Sequence, residues 1–210
     1  WGRRGTNAAI EALSTTGGEV RLVALADVFD NAVQTAYRTI KGKHAKKIDL
    51  DGSRFVGLQA YKQVLTTDAD LVILAGAPGF RPQHFEAAVA AGKHVFMEKP
   101  VAVDAPGIRR ILAASQQAKE KGLAVQVGLQ RRHEPRTIEC IDRLRAGEIG
   151  DILFTRAYCN GGAAPCRPRS SGQSELEYQL RNWRHFTWLS GDQITEQHVN
   201  NLDVINWLAN

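Results

Sequence analysis

Between Gly5 and Leu129, short and almost wholly apolar runs alternate at least four times with longer segments of helical spacing. A strand that is apolar on both faces has to be covered on both faces, which is the condition of a parallel sheet whose crossovers are helices. Residues 20–26, 70–75, 94–97 and 123–127 read as the strands, and residues 6–13, 31–40, 61–65, 82–91 and 104–121 as the helices. Asp104 is placed to cap the last of these, and Gly92 and Gly122 stand where a left-handed residue would end a helix. Lys41, Lys43, Lys46 and Lys47 read as a solvated connection. The pattern predicts an α/β fold with a doubly wound parallel sheet, whose ligands bind beyond the carboxyl ends of the strands.

After about Gln130 the texture changes. Residues 134–145 form an amphipathic helical pattern, 152–158 a longer strand, 160–174 a Gly-, Pro-, Ser- and Arg-rich loop, and about 196–208 a final helix. Trp183, Phe186 and Trp188 mark an aromatic-rich stretch between loop and helix. The expected division is therefore 1–129 and 130–210, and 210 residues suffice for two small domains. An apolar fraction of 43% with 23% charge excludes a disordered or fibrous chain. No run approaches the ~18 apolar residues of a membrane span. The 27 Lys and Arg against 22 Asp and Glu are scattered, unlike the basic face of a nucleic-acid binder, and suit an anionic small ligand. Three cysteines make no disulfide framework, and Cys159 and Cys166 lack the paired short spacing of a zinc site, so no metal is expected. The chain opens without Met, inside what reads as the middle of a motif, and closes on an apolar helix; both ends are expected to be cut.

Gly2-Arg3-Arg4-Gly5 has the spacing of the last two glycines of a G-x-G-x-x-G phosphate fingerprint. Asp27, 22 residues beyond Gly5, ends the second strand of such a unit, where a carboxylate accepts hydrogen bonds from ribose hydroxyls. Its charge would repel a 2′-phosphate, which favours NAD over NADP. Glu98-Lys99-Pro100 sits at a strand's carboxyl end, where a lysine can hold a negative oxygen as hydride leaves carbon.

Together with Ala77-Pro78, His84 six positions after Pro78, the stretch 91–100, Gly128-Leu129-Gln130-Arg131-Arg132, and the segment from Gly191-Asp192 to Trp207, these residues carry a resemblance. The chain resembles the glucose–fructose oxidoreductase, inositol dehydrogenase and rhizopine catabolism family of NAD(P)-dependent oxidoreductases. The resemblance implies a Rossmann domain, here without its first strand, followed by the start of an α+β domain with a mainly antiparallel sheet. It implies that Gly2, Arg3, Arg4 and Gly5 line the pyrophosphate and that Asp27 binds the ribose. Ala75, Gly76, Ala77, Pro78 and His84 would lie along the cofactor, Glu98 near the nicotinamide riboside, and Lys99 at the reacting carbinol. Gln130, Glu196 and Asn200 would join Lys99 around a sugar or polyol substrate; Arg184, from its place beside Trp183 and not from the resemblance, is a further candidate substrate contact. A homo-oligomer is implied for the full-length protein, in the cytoplasm by default or in the periplasm behind a twin-arginine signal.

The acid–base partner departs from the family pattern. Aligned on Asp203, the positions of an acidic residue, a catalytic His and an Asp are Glu196, Asn200 and Asp203, which share one face at about 100° per residue. Asn200 cannot exchange a proton at neutral pH. His198 is the nearest imidazole, and it serves if Gln197 and His198 stay in a loop entering the helix. The leading expectation is hydride transfer from a secondary alcohol. A glycoside-cleaving enzyme with transient oxidation and elimination is the alternative, and a non-catalytic NAD-binding regulator a second.

Overall fold

A computed structural model describes residues 3–209; Gly2 lies outside the described residues. Nine α-helices and five short strands are formed among them. Helix α1 (Arg3–Leu13) is followed by β1 (Leu25–Asp27), α2 (Asp30–His44), β2 (Arg54–Val56) and α3 (Ala60–Leu65). Then come β3 (Leu71–Leu74), α4 (Arg81–Ala90), β4 (His94–Met97), α5 (Ala105–Glu120) and β5 (Val125–Val127). All ladders are parallel: β1 pairs with β2, and β4 lies between β3 and β5.

Up to residue 129 the expected helices and strands stand where the apolar periodicity put them, with physical reasons for the differences in their bounds. The strand expected over 20–26 contracts to Leu25–Asp27. Its partner chain pairs at Ile48 and again from Arg54, but turns between them through Asp51 and Gly52 at φ 33° and 83°, leaving Val23 and Ala24 without a ladder. Helix α2 continues through Lys41 and Lys43 to His44, so that basic stretch is helix and then a single 3₁₀ turn rather than a connection. Asp104 caps α5 by accepting from Gly107 N at 2.6 Å, and Gly92 and Gly122 are left-handed at φ 72° and 66°.

The core is two clusters. Val72, Val95 and Met97 of the three-stranded sheet pack on Phe85, Ala88 and Val89 of α4 and on Ile111, Ala114 and Ala118 of α5. Leu25 of β1 packs with Ala9 and Leu13 of α1 and with Val33 and Ile40 of α2. Between the two sheets lies a cleft of about 1380 Å³, lined by Leu22, Ala24 and Ala26 on one side and Leu71, Ile73 and Ala75 on the other. The strand order 3-2-1-4-5-6 of a dinucleotide fold has its first strand at that place. Among the described residues no strand fills it, and Leu71 is 50% exposed there.

Beyond β5, a 3₁₀ turn (Gln130–His133) leads to α6 (Pro135–Arg145). The strand expected at 152–158 has no ladder partner among the described residues, and Leu153, Phe154 and Tyr158 are exposed. Strand-forming side chains alone do not make a strand; the partner's N–H and C=O groups do. A helix the periodicity did not show, α7 (Glu175–Arg181), is capped by Ser174 accepting from Glu177 N at 3.2 Å. It leads to a 3₁₀ turn (Trp183–His185) and the single-turn α8 (Thr187–Ser190). The chain is helical again from Asp192, widens to a π-turn over Ile194–His198, and ends in α9 (Val199–Ala209). Arg132 fixes α9 to the 130–133 turn by donating to both oxygens of Asp203 at 2.8–3.1 Å, its guanidinium 5.3 Å from the Trp207 ring centroid.

The segment 183–190 closes onto the end of β3 through one residue. A Cβ at Gly79 would stand 2.3 Å from the Trp188 carbonyl oxygen and 3.1 Å from Leu189 Cα, both backbone atoms that cannot step aside alone. Gly79→Ala is therefore expected to destabilise by about 2 kcal/mol. A thermal melt should show this as a fall of roughly 4–8 °C.

Candidate active site

Two strand ends and one helix start converge on the cleft. Asp27 ends β1, and its side chain accepts from Phe29 N at 2.9 Å, which orients the carboxylate at the cleft wall. Ala75, Gly76 and Ala77, just past β3, line the same cleft, as do Arg3 and Arg4 in the first turn of α1. First-turn N–H groups have no intrahelical acceptor, so they present donors and a partial positive charge to an anion. Gly5 is buried in that turn. The strand-end carboxylate of Asp27 and the start of α1 thus stand at one end of the slot between the two sheets, where the first strand of a dinucleotide fold would lie. The expected glycine loop is thus already helix from Arg3 onward.

Glu98 follows β4 and is buried. Its Oε1 accepts from Arg4 Nε at 2.7 Å, so the side chain of Arg4 is committed to holding Glu98. A Cβ on Gly128 would stand 3.0 Å from the Glu98 carboxylate, which is why the chain beyond β5 passes there as glycine. The next residue, Lys99, precedes Pro100 through a cis bond. Lys99 Nζ donates to the main-chain carbonyl of Glu196 and lies 3.7 Å from Glu196 Oε1, both in the π-turn. Burial pushes the Lys99 ammonium below its ordinary pKa; Glu196 and Glu98 oppose the shift, while Arg184 and Arg81 add to it.

Of the other expected residues, Glu196 is buried beside Lys99, and Arg184 is exposed but close enough to act on the Lys99 charge. Gln130 is exposed at the head of its 3₁₀ turn. Asn200 is half-buried in α9, with its Nδ2 3.4 Å from the Gln197 carbonyl. His198 is half-buried in the π-turn, so Gln197 and His198 do not lie in an entering loop as the sequence reading required. His84 lines the cleft, its ring 4.3 Å from that of Tyr61 and 6.0 Å from that of Phe80. Arg81, which the sequence reading passed over, is 3% exposed and donates to two backbone carbonyls, those of Gly76 and Pro100. Arg167, Arg181, Trp183 and Arg184 cover the cleft from the 167–184 segment, with the Arg181 guanidinium 3.9 Å from the Phe29 ring centroid.

The model of the oxidoreductase family GFO_IDH_MocA, described as an NAD-binding Rossmann fold, matches residues 2–129. The chain belongs to this family. It is 28% identical over 196 residues to an inositol 2-dehydrogenase of Acidothermus cellulolyticus, covering 93% of this chain and 48% of that protein. It is 30% identical over 106 residues to the scyllo-inositol 2-dehydrogenase (NAD(+)) of Bacillus subtilis, covering 50% and 30%. The chain thus spans about half the length, or less, of the curated relatives it matches. In fold it is similar to the scyllo-inositol dehydrogenase of Lactobacillus casei crystallised with NAD(H) and scyllo-inositol (TM-score 0.68, 24% identity, 99% of this chain and 54% of that one). The WlbA dehydrogenase of Bordetella pertussis with NADH and UDP-GlcNAcA is similar to the same degree (TM-score 0.69, 22% identity, 99% and 56%). Among the described residues no helix is long and apolar enough to cross a membrane. None of their His, Cys, Asp and Glu side chains group into a metal site.

Burial, with Arg81 adding to it, pushes His84 down to about 4, so this ring is neutral in the folded protein at physiological pH. The unfolded chain protonates it near 6.5. The contribution of His84 is therefore complete above about pH 6.5 and is lost as pH falls towards 4, at most about 3 kcal/mol. Melting temperature should decline over that window in the native protein, and His84→Phe should flatten the decline while keeping the ring stack.

Proposed function

We propose that the full-length protein is an NAD-dependent oxidoreductase acting on a secondary alcohol of a cyclitol, sugar or related polyol. The carrying observation is Lys99, at the carboxyl end of the middle strand of the parallel sheet, largely buried and held by Glu196, on the edge where β3 also ends. The names of the inositol 2-dehydrogenase relatives support the substrate class, and the NAD-binding description of the family supports the cofactor.

In this reading the backbone N–H groups of Arg3, Arg4 and Gly5 face the pyrophosphate, and Asp27 accepts from the ribose hydroxyls. Residues 75–78 and His84 form the wall along which the dinucleotide lies. The bound nicotinamide supplies the hydride acceptor. Lys99 donates to the carbinol oxygen and stabilises the negative charge that develops there. Glu196 orients Lys99, and Glu98, fixed by Arg4, keeps the strand end beneath the nicotinamide riboside. Gln130, Arg184 and Asn200 hold the remaining hydroxyls. His198 is the imidazole nearest the family's histidine position, where Asn200 cannot take a proton, and is the candidate carrier although it sits in the π-turn and not in an entering loop. Residues 130–210 belong to the substrate-binding half.

The full-length protein incubated with NAD and a panel of inositols, sugars and polyols should produce reduced cofactor, read by its absorbance. Product without net reduced cofactor would point instead to transient oxidation and elimination. Lys99→Ala should leave the melting temperature within a few degrees and lower turnover by ~100-fold or more. A fully active variant overturns the assignment.

For the proton carrier, His198→Ala should lower turnover and remove a limb of the pH–rate profile. If it is silent while Asn200→His gains activity, the proton leaves through the family position instead.

A further inference from the structure

Strands β3 and β4 pair in parallel from Leu71 opposite His94 to Leu74 opposite Met97. The last backbone bond between them runs from Glu98 N to the Leu74 carbonyl at 3.0 Å. Continued by two residues, the register sets Gly76 opposite Lys99, but there the chains have separated. Ladder bonds stop where the crevice of a parallel sheet opens, and a different interaction has to set the width of the opening.

Arg81 stands at that point. Its Nη2 donates to the Gly76 carbonyl and its Nη1 to the Pro100 carbonyl, each at 2.5 Å. One planar guanidinium thus joins the turn after β3 to the loop carrying Lys99. The position is unfavourable on every local ground. Arg81 is the first residue of α4, where the helix dipole disfavours a cation by about 0.3–1 kcal/mol. It is buried without an ion pair among the described residues; Glu98 is the carboxylate that acts on it, at longer range. Desolvating a lone cation is strongly unfavourable, so its presence there is explained by the two carbonyls it bridges.

We propose that Arg81 is a positioning residue for hydride transfer, fixing the distance between the cofactor-facing turn at Gly76 and the reacting Lys99. The proposal rests on the reading of Lys99 as the group at the carbinol. Arg81 also acts on Lys99 by charge. The groups around that ammonium are Glu98 on its own strand end, Glu196 in the π-turn, Arg184 on the covering segment and Arg81 on α4; both arginines favour its neutral form. A lysine at position 81 would keep the charge but cannot bridge two carbonyls in a fixed fork. A methionine would remove both.

The test uses the full-length protein and two variants, Arg81→Met and Arg81→Lys, with two readouts. The first is steady-state oxidation of a cyclitol with NAD across pH. Both variants should lose at least tenfold in kcat with KM for the alcohol changed less than threefold. The pH limb belonging to Lys99 should move upward in Arg81→Met and stay in place in Arg81→Lys. The second needs no turnover: the pH dependence of Lys99 acylation by an amine-directed reagent, read by mass spectrometry. Its midpoint should rise in Arg81→Met and match the native protein in Arg81→Lys. If Arg81→Met does not fold, Arg81→Lys decides, since a tenfold loss of kcat at an unchanged Lys99 midpoint is expected only of lost bridging. Native kcat in Arg81→Lys overturns the proposal, whatever the Lys99 midpoint in Arg81→Met. If the native protein oxidises no alcohol, the functional reading fails, and the acylation midpoints still show whether Arg81 governs Lys99.

Discussion

The parallel register of β3 on β4, Leu71 to His94 through Leu74 to Met97, decides where everything else can stand. Parallel strands cannot be joined by a tight turn, so α4 must carry the chain back across the sheet face, and every strand then ends on the same edge. That edge receives Ala75 to Ala77 from β3, Glu98 and Lys99 from β4, and Gly128 from β5. The apolar filling of the sheet, with Phe85, Val89, Val95 and Met97 all 2% exposed or less, keeps these ends from shifting relative to one another. The chemistry is a consequence of where the backbone runs out of partners.

At that edge the order is kept by charge. Glu98 is held by Arg4 from α1, Lys99 by Glu196 from the π-turn, and Asp203 by Arg132 from the turn after β5. Each bond spans a long stretch of chain and joins a different pair of elements. Their net contributions to stability are small, since desolvation offsets most of the attraction in partly buried pairs. What they supply is geometry: removing one member would leave a buried charge unmatched, so the alternatives are worse than the pairing. Arg81 extends the same logic with neutral carbonyls as acceptors.

The sequence made the sheet readable because its strands are buried on both faces and its helices end in recognisable residues. β4 falls on the residues its apolar run marks, and Asp104 caps α5 as its position before Pro106 suggests. Long-range facts were less legible. The expected strand at 152–158 has the right side chains, but among the described residues no neighbouring segment offers it a ladder. Helix α7 was hidden because seven residues with Leu176 half out of the protein show little apolar period. The strand-end positions of Asp27, Glu98 and Lys99 were legible because each follows directly from the run of its own strand. Arg81 was not, because nothing nearby in sequence marks an arginine whose acceptors are the carbonyls of Gly76 and Pro100.

The π-turn is where counting along the chain fails for a definable reason. Face assignments at about 100° per residue hold for i→i+4 bonding, and an i→i+5 turn advances less with each residue. Across Ile194–His198 the phase therefore slips, and residues 196 and 200 do not stand in the relation that a uniform helix predicts. The slip has a use that fits its surroundings. Glu196 presents both its main-chain carbonyl and its carboxylate to Lys99, from a buried position. The same slip leaves His198 on nearly the opposite side of the turn from Glu196, about 170° away at roughly 85° per residue. Arg132 pins α9 at Asp203, seven residues beyond Glu196, and thereby holds the widened turn against the strand end that carries Lys99.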